Sequence, residues 1–241
     1  MTTAKQIKTL VAPLLERHPD LVLADFCTLR FQPTGHVARE ILINRTSVPD
    51  LFKLHWFLSE SFDPSDSRGM TYGRCSSGIH RSEPRVRGWV WSDPTMAEDF
   101  VISCEREAIP VMRPLDTDRK RLEFARDRPE SQPYYPPEWR LVNAITLGNL
   151  DDARAIWTGI EAYYAAGHVF ADPFFQPRYD RIRRIGKPLM ADDRRTLTDL
   201  LYTWETENAV GCKRAALRTP GAFPIEEAGF HAEETPADDT P

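Results

Sequence analysis

Apolar residues recur at helical spacing near the N-terminus of the chain. The positions that carry this spacing are Ile7, Leu10, Val11, Leu14 and Leu15. They predict an amphipathic helix over residues 3–17. We expect it to end at His18, because the residue before a proline is driven out of the helical region and Pro19 follows.

The pattern then changes to alternation of apolar and polar residues. Three segments, 26–32, 36–44 and 51–62, alternate in this way and predict an antiparallel meander. In the third segment, Phe52, Leu54, Trp56 and Leu58 share one side, and His55 lies on the other. A fourth strand is predicted over residues 86–91.

Helical patterns dominate the rest of the chain. Short helices are predicted over residues 95–107 and 116–127, then a helical hairpin around Gly148-Asn149, and a long helix over 192–217. The fold class is therefore α+β: an antiparallel sheet with flanking helices, followed by a small all-helical unit.

Four prolines within residues 129–139 predict a stiff, extended connector. We therefore divide the chain into an α+β domain over 1–128, a proline-rich connector over 129–138 and a helical unit over 139–220. The remaining segment, 221–241, is rich in acidic residues, contains few apolar ones, and is predicted to be disordered.

Charge and composition narrow the possible partners. The net charge is −5, but residues 226–241 carry six acidic side chains and no Lys or Arg, so the rest of the chain is near neutral. A near-neutral body does not favour nucleic acid or anionic lipid as a partner. The chain has no apolar run long enough to span a membrane and no signal-like N-terminus, so we expect a cytoplasmic protein.

One segment, GRCSSGIHRS over residues 73–82, resembles the signature loop of cysteine-based phosphatases. Five residues separate Cys75 from Arg81, which is the spacing that lets backbone N–H groups surround a phosphate. The resemblance implies Cys75 as the nucleophile, Arg81 as the phosphate ligand, Ser82 as an aid to the leaving thiolate, and Asp93 as the general acid.

The context of this segment favours a turn in an exposed hairpin over a catalytic loop. The preceding residues are polar and contain glycine, which is poor for the buried strand such a loop requires. The following residues alternate like a strand, Arg74 replaces the histidine usual in that family, and Asp93 lies after the cysteine. We interpret the match as coincidental and keep the phosphatase as the first alternative function.

Arginine and tryptophan are concentrated around this segment. The candidate binding residues are Arg74, Arg81, Arg85, Arg87, Trp89 and Trp91. Such side chains are common anchors of protein interfaces. They also bind nucleic acid, and residues 68–91 with the basic run 178–184 make nucleic-acid binding the second alternative. The histidine and cysteine spacings predict neither a metal site nor a cofactor site.

Residues 1–127 resemble a group of uncharacterised bacterial α+β domains, some of which are possible toxin-immunity proteins. The resemblance depends on the element order, the R-x-R-x-W-x-W strand ending at Trp91, and the segment AIPVMRPL over 108–115. It implies a non-catalytic role in binding another protein and assigns no site residues. We therefore expect a protein-recognition function without catalysis.

Overall fold

The computed structural model describes residues 2–64, 75–82, 88–128, 137–165, 176–219 and 221–230. They form two compact units. The first lies within Met1–Glu60, Met70–Ala125 and Gly211–Thr219, and the second lies within Ser61–Gly69, Arg126–Val210 and Pro220–Pro241. The α+β class predicted from the sequence is confirmed.

The first unit contains a mixed set of helices and strands. In chain order they are α1 Ala4–Arg17, β1 Leu21–Leu23, β2 Thr28–Phe31, β3 Val37–Arg45, β4 Leu51–Glu60, β5 Cys75–Gly78, β6 Trp89–Val90, α2 Met96–Ser103, a π-helical turn Cys104–Ala108, α3 Ile109–Met112, α4 Asp118–Asp127 and a 3-10 helix Lys213–Leu217. The last two residues of α4 are assigned to the second unit.

Helix α1 forms where the apolar spacing predicts it. Thr3 caps its N-terminus, since its hydroxyl accepts from the Gln6 N–H and the Gln6 side chain accepts from the Thr3 N–H. The buried face consists of Ile7, Leu10, Val11 and Leu14. The helix ends at Arg17, before the proline.

The sheet is antiparallel, with the order β1-β2-β3-β4-β5, and β6 also pairs with β4. Strands β3 and β4 form its centre, with Ile41 opposite Trp56 and Leu42 opposite His55. Because side chains alternate between faces, Ile41, Ile43, Leu54 and Trp56 lie on one buried face. The opposite face carries several polar side chains, among them Glu40, Lys53 and His55.

A π-helical turn interrupts the helical stretch between α2 and α3. In this turn the N–H of Ile109 donates to the carbonyl of Cys104, five residues earlier. Pro110 follows immediately, and a proline within a helix has no N–H and clashes with the carbonyl four residues before it. The wider turn accommodates Pro110 and presents Glu105, Arg106 and Glu107 in succession.

A C-terminal strap, which we define as Gly211–Thr219, returns to the sheet of the first unit. The N–H of Thr219 donates to the Thr34 carbonyl at 2.7 Å. The Arg214 guanidinium lies 3.3 Å from the Glu40 carboxylate, which is fully buried and also binds Arg30 at 2.6 Å. A buried ionic group thus fixes the strap to strands β2 and β3.

The second unit is helical. Its elements are α5 Pro137–Thr146, α6 Leu150–Ala165, α7 Gln176–Ile182, a 3-10 helix Arg183–Ile185, α8 Gly186–Met190, α9 Arg194–Ala209 and α10 Pro224–Phe230. Helices α5 and α6 form the predicted hairpin, with Gly148 at a φ of 80° between them. The T-shaped rings of Phe62 and Phe223, 5.4 Å apart, contribute to this unit's core.

Three observed boundaries differ from the predicted ones. The last long helix ends at Ala209 instead of 217, since Gly211 adopts a φ of 76° that breaks the helix. Residues 211–219, predicted within the helical unit, therefore belong to the first unit. Helix α10 contradicts the predicted disorder over Pro224–Phe230, and Ile225 within it and Phe223 just before it are buried. The connector residues 129–136 and the tail residues 231–241 lie outside the described residues.

No helix in the described part of the chain combines the length and apolar character needed to cross a membrane.

Candidate functional site

The segment that resembles a phosphatase loop is a strand of the sheet. Strand β5 pairs antiparallel with β4, with Cys75 opposite Leu58 and Gly78 opposite His55. The following N–H, of Ile79, donates to the Leu54 carbonyl at 2.9 Å. The prediction of an exposed turn at 73–82 is therefore wrong for the described residues 75–78, which extend the sheet.

This conformation does not form the anion cup that a phosphatase requires. Along a β-strand, successive N–H groups point to opposite edges, so they cannot converge on one phosphate. Cys75 is fully buried against the sheet. No helix begins within the described residues 79–82, where a phosphatase loop would be followed by a helix N-terminus.

Arg81 is buried inside the first unit and is only 7 % exposed. Its Nε donates to Asp99, its Nη1 donates to Asp93 at 3.0 Å, and its Nη2 donates to the Thr95 hydroxyl at 3.0 Å. The guanidinium also lies over the ring of Trp89, 5.4 Å from its centre. Arg81 thus joins the segment after β5 to α2, and all three of its side-chain nitrogens donate hydrogen bonds within the fold.

The two carboxylates around Arg81 are held in their charged forms. The N–H and hydroxyl of Thr95, followed by Arg81, lower the pKa of Asp93. Burial alone raises the pKa of Asp99, but hydrogen bonds from Ser82 and Arg81 outweigh it and lower the pKa overall. A general acid must be protonated at neutral pH, so Asp93 does not suit that role.

Ser82 has a positioning role in this network. Its N–H donates to Asp99 Oδ1 at 3.0 Å, and its hydroxyl accepts from Arg106 Nη1 at 2.9 Å. Arg106 comes from the π-helical turn and also donates to the His80 carbonyl at 3.0 Å. The π-helical turn therefore holds the segment that follows β5.

Both tryptophans of the predicted binding surface are at least half-buried in the fold and donate their indole N–H groups to other residues of the chain. Trp89 is buried, and its Nε1 donates to the Ile79 carbonyl at 3.0 Å. Trp91 is half-buried, its Nε1 donates to the Thr2 hydroxyl at 2.8 Å, and its ring lies 4.7 Å from that of Phe52. Of the predicted arginines, Arg74, Arg85 and Arg87 lie outside the described residues. Arg81 and Trp89 are thus interior residues, not surface anchors.

Two other surfaces of the same unit carry features that sequence reasoning missed. The first, which we call the hairpin-end surface, consists of Phe26, Arg45 and Val48. Phe26 and Val48 are 50 % and 53 % exposed. The Arg45 guanidinium lies over the Phe26 ring, 4.6 Å from its centre. The N–H of Ile43 donates to the Cys27 carbonyl at 2.9 Å, so the two chain segments lie side by side.

The second, which we call the basic sheet face, consists of Lys53, His55 and His80. Lys53 and His55 share the polar face of β4, and the His80 side chain is 80 % exposed. Burial, then Lys53 and His80, lower the pKa of His55. The alternation over 51–62 already placed His55 on the other side of the strand from Trp56. The same alternation puts Lys53 beside His55, so the sequence could have predicted two of these three residues.

The described residues contain no group of three or more His, Cys, Asp or Glu side chains that could hold a metal ion.

No protein-family model, no curated protein and no solved structure matches this chain.

Proposed function

We propose that this protein recognises another protein without catalysing a reaction, and that the hairpin-end surface is its main contact. The observation that carries this proposal is the Arg45–Phe26 stack, in which an arginine and a half-exposed aromatic ring lie together at the end of the sheet. Aromatic and arginine side chains dominate the binding energy of protein interfaces.

The surroundings of the Arg45 charge differ from those of the interior arginines of the same unit. Arg30 and Arg81 are buried and bind carboxylates. Arg45 is exposed and binds no carboxylate of the described chain. Stacking on Phe26 reduces the freedom that the long side chain loses when a partner binds, so the pair is partly preorganised.

The state of the candidate catalytic residues also supports a non-catalytic role. Cys75 is buried in a paired strand, and the hydrogen bonds of Arg81 all serve the fold. The contacts of Cys75 and Arg81 therefore account for both residues as parts of the fold. The resemblance of residues 1–127 to possible immunity domains suggests a toxin as the class of partner, and that class is part of the proposal.

The test is a comparison of variants in partner capture. The tagged chain is used to isolate a stoichiometric partner from its source cells, and affinity is then measured with purified components. Replacing Phe26 or Arg45 with alanine is expected to weaken binding by about tenfold or more, in line with the loss of an interface anchor. Val210→Ala is the matched control, since Val210 is an exposed apolar residue of the other unit.

Two results would overturn this proposal. One is a partner whose affinity is the same for Phe26→Ala, Arg45→Ala and the control. The other is turnover of an aryl phosphate that disappears in Cys75→Ser while the variant stays folded, since that would establish the enzymatic alternative.

A further inference from the structure

The basic sheet face brings together three basic side chains, two from strand β4 and one from the segment that follows β5. Lys53 and His55 are two residues apart on β4 and therefore share a face. Gly78 lies opposite His55 in the register. Since Gly78 has no side chain, the His80 ring occupies the space above it, and a Cβ added to Gly78 would lie 3.4 Å from the His80 Cε1.

The charged groups around His55 are almost all positive. After burial, the groups that lower its pKa are Lys53 and His80, and among the described residues no carboxylate raises it. Glu107 accepts from the His80 N–H at 2.9 Å and lies 3.5 Å from its Nδ1. Arg106 donates to the same carboxylate and offsets its charge. The face is therefore short of negative charge.

We propose that the basic sheet face binds an acidic segment of the protein partner, whose carboxylates contact Lys53 and His55. This inference rests on the proposed function, and it names the chemistry of the partner. The Lys53 ammonium, which pairs with no carboxylate among the described residues, is complementary to aspartate and glutamate side chains. Lys53 is exposed, and His55 is half-buried beside it, so the anion reaches both groups at the surface.

A protein segment fits this face better than a nucleic acid does. Leu42 lies opposite His55 and adds a half-buried apolar side chain, which suits a polypeptide. Nucleic-acid affinity depends on many phosphate contacts along an extended basic surface, and the body of this chain is near neutral. Three basic residues provide too few such contacts.

Binding of carboxylates is linked to the protonation of His55. Its lowered pKa leaves the ring neutral at neutral pH, and a bound carboxylate favours the charged ring. Affinity for an acidic ligand is therefore expected to rise as the pH falls. Between about pH 8 and about pH 6, we expect an increase of about three- to tenfold for one linked histidine.

The experiment is an NMR titration of the full chain with a hexaglutamate peptide. Shifts of the Lys53, His55 and His80 signals are expected, with weaker binding at higher pH. The double variant Lys53→Gln/His55→Gln is expected to reduce affinity by about fivefold or more, and circular dichroism checks that it is folded. Lys187→Gln, which removes an exposed lysine of the other unit, is the matched control and leaves hexaglutamate binding unchanged.

Several outcomes would overturn the inference. They are an absence of shifts at the three residues, equal affinity in the double variant, and tighter binding of a DNA duplex of matched charge than of hexaglutamate.

Failure of the proposed function would give a different result. Hexaglutamate would then still bind at these residues, while no protein partner would depend on Phe26 or Arg45. Conversely, a partner lost in Phe26→Ala but unaffected by Lys53→Gln/His55→Gln would overturn this inference alone.

Discussion

Arg81 and Asp99 form an ion pair in the interior of the first unit, between the segment after β5 and helix α2. The same carboxylate accepts the N–H of Ser82, and the same guanidinium reaches Asp93 and Thr95. An arginine that the sequence suggests as a phosphate ligand is thus the centre of a structural network.

Removing one side of this pair should destabilise the protein strongly. Arg81→Ala leaves the Asp99 carboxylate partly buried without its cation, and breaking such a pair costs about 3–5 kcal/mol. Unfolding in urea, followed by circular dichroism, measures the loss. Lys120→Ala, which removes an exposed pair with Asp116, is the control and should have little effect. Equal effects for the two variants would contradict the assignment.

The thiol of Cys75 should be protected from alkylation in the folded protein. It is fully buried in strand β5, and Cys104 is equally buried, with a pKa raised by burial. Cys27 and Cys212 are partly exposed, although burial raises the pKa of Cys27 to about 11. Mass spectrometry after iodoacetamide treatment should find Cys75 modified only once denaturant is added. Rapid modification in native buffer would indicate an accessible thiolate and would support the phosphatase as the function.

Stability should decrease in acid partly because of His55. Its pKa in the folded protein lies below the ordinary 6.5, so the unfolded chain binds the proton first. The contribution of neutral His55 to the free energy of unfolding is fully present above pH 6.5 and is lost as the pH falls through the folded-state pKa. Urea unfolding at about pH 7.5 and about pH 5 measures it. His55→Gln should lose less stability over this interval than the original chain, and an equal loss would refute the expectation.

The C-terminal strap should loosen when its ionic anchor is removed. Arg214 lies 3.3 Å from the buried Glu40 and 3.5 Å from Asp25, so Arg214→Ala removes both contacts. Hydrogen exchange at the Thr219 amide should then accelerate by about tenfold or more, which is about 1.4 kcal/mol of local stability. Lys213→Ala, an exposed neighbour, is the control. Unchanged exchange in Arg214→Ala would mean that other contacts hold the strap.

The sequence by itself determined the elements whose apolar residues have a clear period. Helix α1 and strands β3 and β4 were found because Ile7 to Leu14 follow a helical spacing and Phe52 to Leu58 alternate. A local period reports which face of an element is buried, so it needs no knowledge of the rest of the chain. The α+β class followed from these elements in order.

Only the tertiary structure decided the role of the candidate site. Strand β5 has a polar sequence and becomes a strand because β4 offers it a partner edge. Arg81 meets Asp99 across 18 positions, and Arg214 meets Glu40 across 174. Such distances in sequence leave no periodic signal, since which polar groups neutralise one another depends on which segments the hydrophobic core brings together.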